Sequence, residues 1–165
     1  GIDVSGSMSS PSSGLELTCA QVAGALAMTI LRTEPYSIVN GFASEFRSLG
    51  ITEDMSLTEV FRRQRANTFG RTDCAVPMLW AAEKKVKVDT FVIITDNDTY
   101  VGNIKPFQAL KQYRQKMGID ARLAVVALDS TGFTIADPRD AGMLDVVGGD
   151  ANLPKVISEF SAGRL

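Results

Sequence analysis

The stretch "VDTFVIITDN", Val88 to Asn97, constrains the fold more than any other part of the chain. Its apolar run from Phe91 to Ile94 is unbroken, has no polar face, and is bracketed by Asp89 and Asp96. A run this short with both side-chain parities apolar is expected to be a strand buried on both faces, the centre of a parallel sheet flanked by helices. Asp96 then stands where that strand emerges into a loop.

The rest of the chain alternates between short apolar blocks and a helical period in a way that suits this sheet. Ile2 to Val4 reads as the tail of a first strand. Leu15 to Arg32, with Leu15, Val22, Leu26 and Ile30 on one side, reads as a long buried helix closed by Pro35. Tyr36 to Phe42 is predicted to be a second strand, and "ASEFRSLGI" a turn followed by an antiparallel edge. A polar helix starting at Ser56 or Thr58 runs to about Arg65, and another begins near Ala75 or Pro77, where proline is tolerated in a first turn. Pro106 to Met117 reads as a basic amphipathic helix, Arg122 to Asp129 as a buried strand, Met143 to Val147 as a short last strand, and "ANLPKVISEFSAG" as a closing helix. The order β-α-β-β-α-α-β-α-β-β-α predicts an α/β fold: a Rossmann-like, doubly wound, mostly parallel sheet of about six strands with one antiparallel edge strand and helices on both faces. No repeat, low-complexity tract or linker interrupts it, so residues 1–165 are expected to form one domain.

At 165 residues and 45% apolar content the chain can fill a core of its own. A net charge of −2 with a pI near 5.2 argues against the broad basic face that nonspecific nucleic-acid binding needs. No apolar run of ~18 residues and no charged-then-apolar leader occurs, so neither a membrane span nor a signal peptide is expected. The missing initiating Met and the opening on a strand's tail suggest a piece of a longer protein. Cys19 and Cys74 fit no metal-binding spacing and are expected to be free, buried thiols rather than a disulfide. Histidine is absent, which excludes His-dependent triads, His acid/base pairs and the usual zinc sites.

In doubly wound sheets ligands bind beyond the carboxyl ends of the strands. Three segments fall there: Asp3-Val4-Ser5-Gly6-Ser7, Thr72-Asp73 in a loop containing Gly70, and Asp96. If Asp3 to Ser7 is extended, alternate side chains point the same way and Asp3, Ser5 and Ser7 converge. With Thr72 and Asp96 they make an all-oxygen donor set that suits a hard divalent cation, Mg²⁺ or Mn²⁺. Two carboxylates against a +2 ion, with neutral hydroxyls beside them, would leave the metal electrophilic enough to accept an acidic ligand. The competing explanation is that the first three residues only cap the following helix.

"DVSGS", then a Thr in a Gly-containing loop, then "TD" at the end of a strong strand, together resemble the metal-ion-dependent adhesion site of von Willebrand factor A domains. The resemblance implies metal binding by Asp3, Ser5, Ser7, Thr72 and Asp96, with the serines binding directly and either acid able to act through water. A narrower resemblance is carried by "RTDCAVPMLWA", "DTFVIITDNDTY", "ALKQYRQKMGI" and above all "GFTIADPRDAGMLDVVGGD". These are similar to the C-terminal A domain of the Ro (SS-A) ribonucleoprotein autoantigen and its bacterial relatives. That resemblance implies an upstream ring of helical repeats that binds small noncoding RNAs, so RNA contact is expected mainly outside this chain. It also implies a cytoplasmic setting. One departure stands out: the family's loop usually has two glycines before the Thr, whereas here it is Gly70-Arg71-Thr72.

The leading expectation is therefore a noncatalytic, cation-dependent binding module of a Ro-like RNA-binding protein, whose metal takes a carboxylate from a protein partner. The alternatives are a Mg²⁺-dependent phosphohydrolase and a structural domain with a vacant site. The first motif has no second acid two residues after Asp3, and no GxxxxGK[ST] phosphate loop is present, which disfavours phosphate chemistry. Asp73 and Asp98 lie next to the expected ligands, though exposed loop acids are the commoner explanation. Lys105, Lys111, Arg114 and Lys116 make the Pro106 helix basic and could touch RNA or an acidic partner, though a solvated helix face is the commoner explanation. Asp137, Asp140 and Asp145 could hold a second cation, yet a Pro-ordered turn explains much of that pattern. Trp80, Phe91 and the methionines are expected in the core.

Overall fold

The computed structural model describes residues 1–12, 14–96, 102–129 and 135–165. Six strands form one sheet: β1 (Ile2–Asp3), β2 (Asn40–Phe42), β3 (Phe46–Ser48), β4 (Thr90–Thr95), β5 (Arg122–Ala127) and β6 (Met143–Val147). Their spatial order is β3-β2-β1-β4-β5-β6, parallel throughout except for the antiparallel β2–β3 hairpin at one edge. The helices are α1 (Cys19–Thr33), α2 (Leu57–Ala66), α3 (Val76–Lys84), α4 (Pro106–Met117) and α5 (Leu153–Ser161).

The unbroken apolar strand does what its pattern dictates. Along β4, Val92 and Ile94 pack with α1 and α5, while Phe91 and Ile93 face α3 and α4. Its neighbour β5 divides the same way, with Ala124 and Val126 on the first face and Leu123 and Val125 on the second. Both faces of the sheet are thus dry, as two-sided apolar strands require. On the second face Phe91 meets Tyr113 edge-on, with ring centroids 4.9 Å apart. The buried Tyr113 hydroxyl donates to the Val86 carbonyl at 2.8 Å and accepts the Val88 N–H at 2.6 Å, tying α4 to the α3–β4 connection. Helix α4 ends where Gly118 adopts φ 66°, a left-handed cap that glycine takes without steric cost.

Two predicted boundaries move. The first helix starts at Cys19, not Leu15, because Thr18 and Gln21 form a capping box: the Gln21 N–H donates to Thr18 Oγ1 at 3.2 Å and the Thr18 N–H to Gln21 Oε1 at 2.9 Å. Leu15 and Leu17 fall outside the helix and stay largely exposed. The second strand covers only Asn40–Phe42, since Tyr36 turns the chain at φ 63° with its side chain fully in solvent. A turn bond from Ser37 Oγ to the Glu34 carbonyl, 2.8 Å, holds that reversal.

Lys105, Lys111 and Lys116 are exposed, as a solvated helix face requires, whereas Arg114 and the three acids are held in hydrogen bonds. Arg114 is not a solvated basic residue: it donates to the Ala121 carbonyl at 2.7 Å and to Asp140 Oδ2 at 2.6 Å. Asp140 also accepts the Gly142 N–H at 2.8 Å, Asp137 pairs with Arg139, and Asp145 accepts the Ala136 N–H at 3.1 Å. The three acids therefore serve three separate local bonds rather than one cation. Cys19 and Cys74 are free and buried, as expected. Among the described residues no helix is long and apolar enough to cross a membrane.

The Arg114 hydrogen bond holds the Asp140 carboxyl below its usual range. A lowered folded pKa contributes stability that is complete above the unfolded value and is lost as pH falls through the folded one. Asp140→Asn is therefore expected to cost about 1.5–3 kcal/mol at pH 7, the usual worth of a hydrogen bond to a charged group. The gap to wild type should close on acidification below about pH 4, as read by urea denaturation across pH.

Candidate functional site

The site lies at the carboxyl ends of β1 and β4, adjacent parallel strands in the middle of the sheet. Asp3 closes β1 and Asp96 follows β4 directly, and both are buried. After β1 the described chain runs through residues 5–12 and 14–18 to α1, and its first turn is a 3-10 helix, Gly6–Ser9. This corrects the expected extended run. Ser5 is extended, at φ −67° and ψ 161°, but the chain coils after it, with the Met8 N–H donating to the Ser5 carbonyl at 3.2 Å and the Ser10 N–H to the Ser7 carbonyl at 2.9 Å. The buried Met8 anchors that coil in the core. Ser7 still arrives beside Ser5, with the two hydroxyl oxygens 3.1 Å apart.

Asp3 is the hub. Its Oδ1 accepts the Ser5 N–H at 2.8 Å, and its Oδ2 accepts the Thr95 hydroxyl at 2.8 Å and the Thr72 hydroxyl at 3.2 Å. The structure thus gathers Asp3, Ser5, Ser7 and Thr72 into one hydrogen-bonded cluster, with Asp96 close enough for its charge to act on Asp3. The capping explanation does not hold, because the 3-10 turn receives no side-chain cap from Ser5 and α1 is capped by Thr18.

Electrostatically the cluster is poor in positive charge. Burial raises the Asp3 pKa above the ordinary carboxylate value, and the nearby Asp96 charge adds to the rise, against the lowering hydrogen bonds from Ser5 and Thr95. The flanking thiols feel the same surroundings. Burial, then the charges of Asp96, Asp129 and Asp3, push Cys19 up to about 11, and burial with the Asp3 and Asp73 charges raises Cys74. Among the described residues there is no group of three or more His, Cys, Asp or Glu placed to hold a metal. What the strand ends offer is a mixed set of two carboxylates and three hydroxyls, oxygen donors of the kind a hard cation takes.

The Thr72 loop is held by backbone bonds to the neighbouring strand ends, the Phe69 N–H donating to the Val4 carbonyl at 3.4 Å and the Asp73 N–H to the Ala43 carbonyl at 3.1 Å. Gly70 takes φ 64°, and a side chain there would press against Ser44 Oγ, 2.6 Å from the added carbon. One glycine supplies the left-handed turn, so Arg71 in place of a second glycine leaves the loop closed while its own side chain is exposed. Gly6 plays no comparable role, since a side-chain carbon there would meet nothing within 4 Å. Asp73 turns back on its own backbone, accepting the Ala75 N–H at 2.9 Å, and Asp98 lies outside the described residues.

Sequence reasoning assigns no role to two contributors. Thr95, the last residue of β4, enters only within the "TD" that closes the strand, although a hydroxyl that ends a buried apolar strand must find a hydrogen-bond partner. Ser12, read as loop, is buried and donates to the Leu128 carbonyl at 3.1 Å, fastening the loop to the end of β5.

The sequence profile described as "Ro60 vWA domain" matches residues 1–161. "RNA-binding protein RO60" of Deinococcus radiodurans is 47% identical over 99% of this chain, and the protein of the same name from Caenorhabditis elegans is 41% identical over 99%. The chain spans 31% and 26% of the length of these two relatives. The crystal structure of the Deinococcus radiodurans RO (RSR) protein superposes with a TM-score of 0.90, covering 99% of this chain and 34% of that one. An aerotolerance-related membrane protein from Bacteroides fragilis, 14% identical, superposes with a TM-score of 0.61 over 98% of this chain and 96% of its own, a likeness of fold alone. The profile over residues 1–161, the two relatives and the superposed crystal structure agree, and the chain belongs to the Ro60 vWA domain family.

Proposed function

We propose that this chain is the divalent-cation-dependent binding module of a Ro60-like RNA-binding protein. In this reading Mg²⁺ or Mn²⁺ is held by Asp3, Ser5, Ser7, Thr72 and Asp96, and recruits an acidic group of a protein partner. The observation that carries the reading is the buried cluster around Asp3. Two carboxylates and three hydroxyls converge at adjacent strand ends, and the central acid is penalised by burial and by its acidic neighbour. Such a set matches the preference of hard cations for oxygen, and a +2 ion would offset the like-charge repulsion. When bound, the metal supplies an electrophilic centre for a partner's carboxylate.

The protein's own residues divide the remaining work. Thr72 donates its proton to Asp3 and thereby keeps its oxygen lone pairs available on the other side. Ser5 and Ser7 present neutral oxygens, so the cation's charge is not fully cancelled. The site binds rather than catalyses. Contact with RNA falls mainly to the part of the parent protein beyond this chain, consistent with the pI near 5.2.

Saturating Mg²⁺ should raise the melting temperature of the full-length protein, because a ligand of the native state stabilises by mass action, and EDTA should reverse the rise. Asp96→Ala should abolish the Mg²⁺ response while leaving the chain folded. An unchanged melting curve in wild type with and without Mg²⁺ would sink the cation reading.

A second test uses pH. A raised folded pKa means the native state binds the Asp3 proton more tightly than the unfolded chain, so the metal-free protein loses stability as pH rises through that value. Asp3→Asn should therefore be more stable than wild type at pH 7 in EDTA. The advantage should shrink on acidification and be offset in wild type by added Mg²⁺, followed by thermal denaturation.

A further inference from the structure

One hydroxyl of the cluster is not among the five expected metal ligands. Thr95 ends β4, is completely buried, and its hydroxyl donates to Asp3 Oδ2 at 2.8 Å. That bond is shorter than either contact from the Thr72 hydroxyl, 3.2 Å to Oδ2 and 3.5 Å to Oδ1. With the Ser5 N–H on Oδ1 at 2.8 Å, it grips the carboxylate from both ends. The two bonds come from different elements, β4 and the loop after β1, so they fix the plane of the carboxylate as well as its position.

We propose that Thr95 is a positioning residue of the metal site, orienting the Asp3 carboxylate through its hydroxyl. The inference rests on the cation reading above and adds one residue to it. Groups that orient metal-binding carboxylates typically change metal affinity by about 10- to 100-fold when removed. A buried threonine that only satisfies its own hydroxyl would change stability and leave affinity alone.

The test is isothermal titration of the full-length protein with Mg²⁺, and with Mn²⁺ as a second probe, alongside metal-free melting curves. Thr95→Val keeps the shape and removes the donor, and it should weaken metal binding by about tenfold or more. Thr95→Ser restores the donor and should bind within about threefold of wild type. Thr95→Ala, which also lacks the donor, should bind more weakly than Thr95→Ser, and this pair carries the test if Thr95→Val does not fold. Wild-type affinity in Thr95→Val, or equal affinity in Thr95→Ala and Thr95→Ser, would overturn the assignment while leaving the cation reading intact. Absence of metal binding in wild type would overturn both.

Discussion

Everything at the functional end of this domain depends on placing one carboxylate, that of Asp3, out of water at the end of a two-residue strand. A buried carboxylate is tolerated only where hydrogen bonds replace the lost hydration. Here the replacements come from three separate pieces of chain: the Ser5 N–H from the following loop, the Thr95 hydroxyl from the adjacent strand, and the Thr72 hydroxyl from the loop before α3. Meeting that one requirement draws those pieces together. The sheet order makes it possible, since β1 sits between β2 and β4 and so lies within reach of both the Thr72 loop and the end of the central strand.

Much of this was legible in the sequence because apolar patterning is strong where burial is two-sided. The run Phe91 to Ile94 could be nothing but a central strand, and α4 and β6 fell on the residues expected of them, Pro106–Met117 and Met143–Val147. The candidate site was legible because Asp3, Thr72 and Asp96 each directly follow or end a strand-like segment or glycine turn, so topology alone brings them to one edge. The antiparallel edge strand was readable from the turn residues between Phe42 and Phe46.

The misreadings occurred where local hydrogen bonding outweighed hydrophobic period. Leu15 fits the helical rhythm of α1, but the Thr18–Gln21 box stops the helix at Cys19, and Leu15 ends up against Gly149 instead. Alternation suggested that Asp3, Ser5 and Ser7 share an extended face. The pair Ser5 and Ser7 does converge, but through a 3-10 turn anchored by Met8, one of the methionines expected in the core. Arg114 was miscounted with the solvated bases because its partner Asp140 lies 26 residues away, beyond any local pattern. Side chains that act across elements, Thr95 among them, leave no periodic trace.

Leu128 has a mechanical significance that its apolar side chain does not suggest. Its N–H donates to the Thr95 carbonyl at 2.8 Å, while its carbonyl accepts the Ser12 hydroxyl at 3.1 Å. One peptide unit on either side of a single residue thus rivets the ends of β4 and β5 to the serine-rich loop over the site. The chain at Ser12 is consequently braced: a force applied there is carried through Leu128 to the strand that holds Thr95. Whatever touches Ser12 meets a residue tied to the sheet.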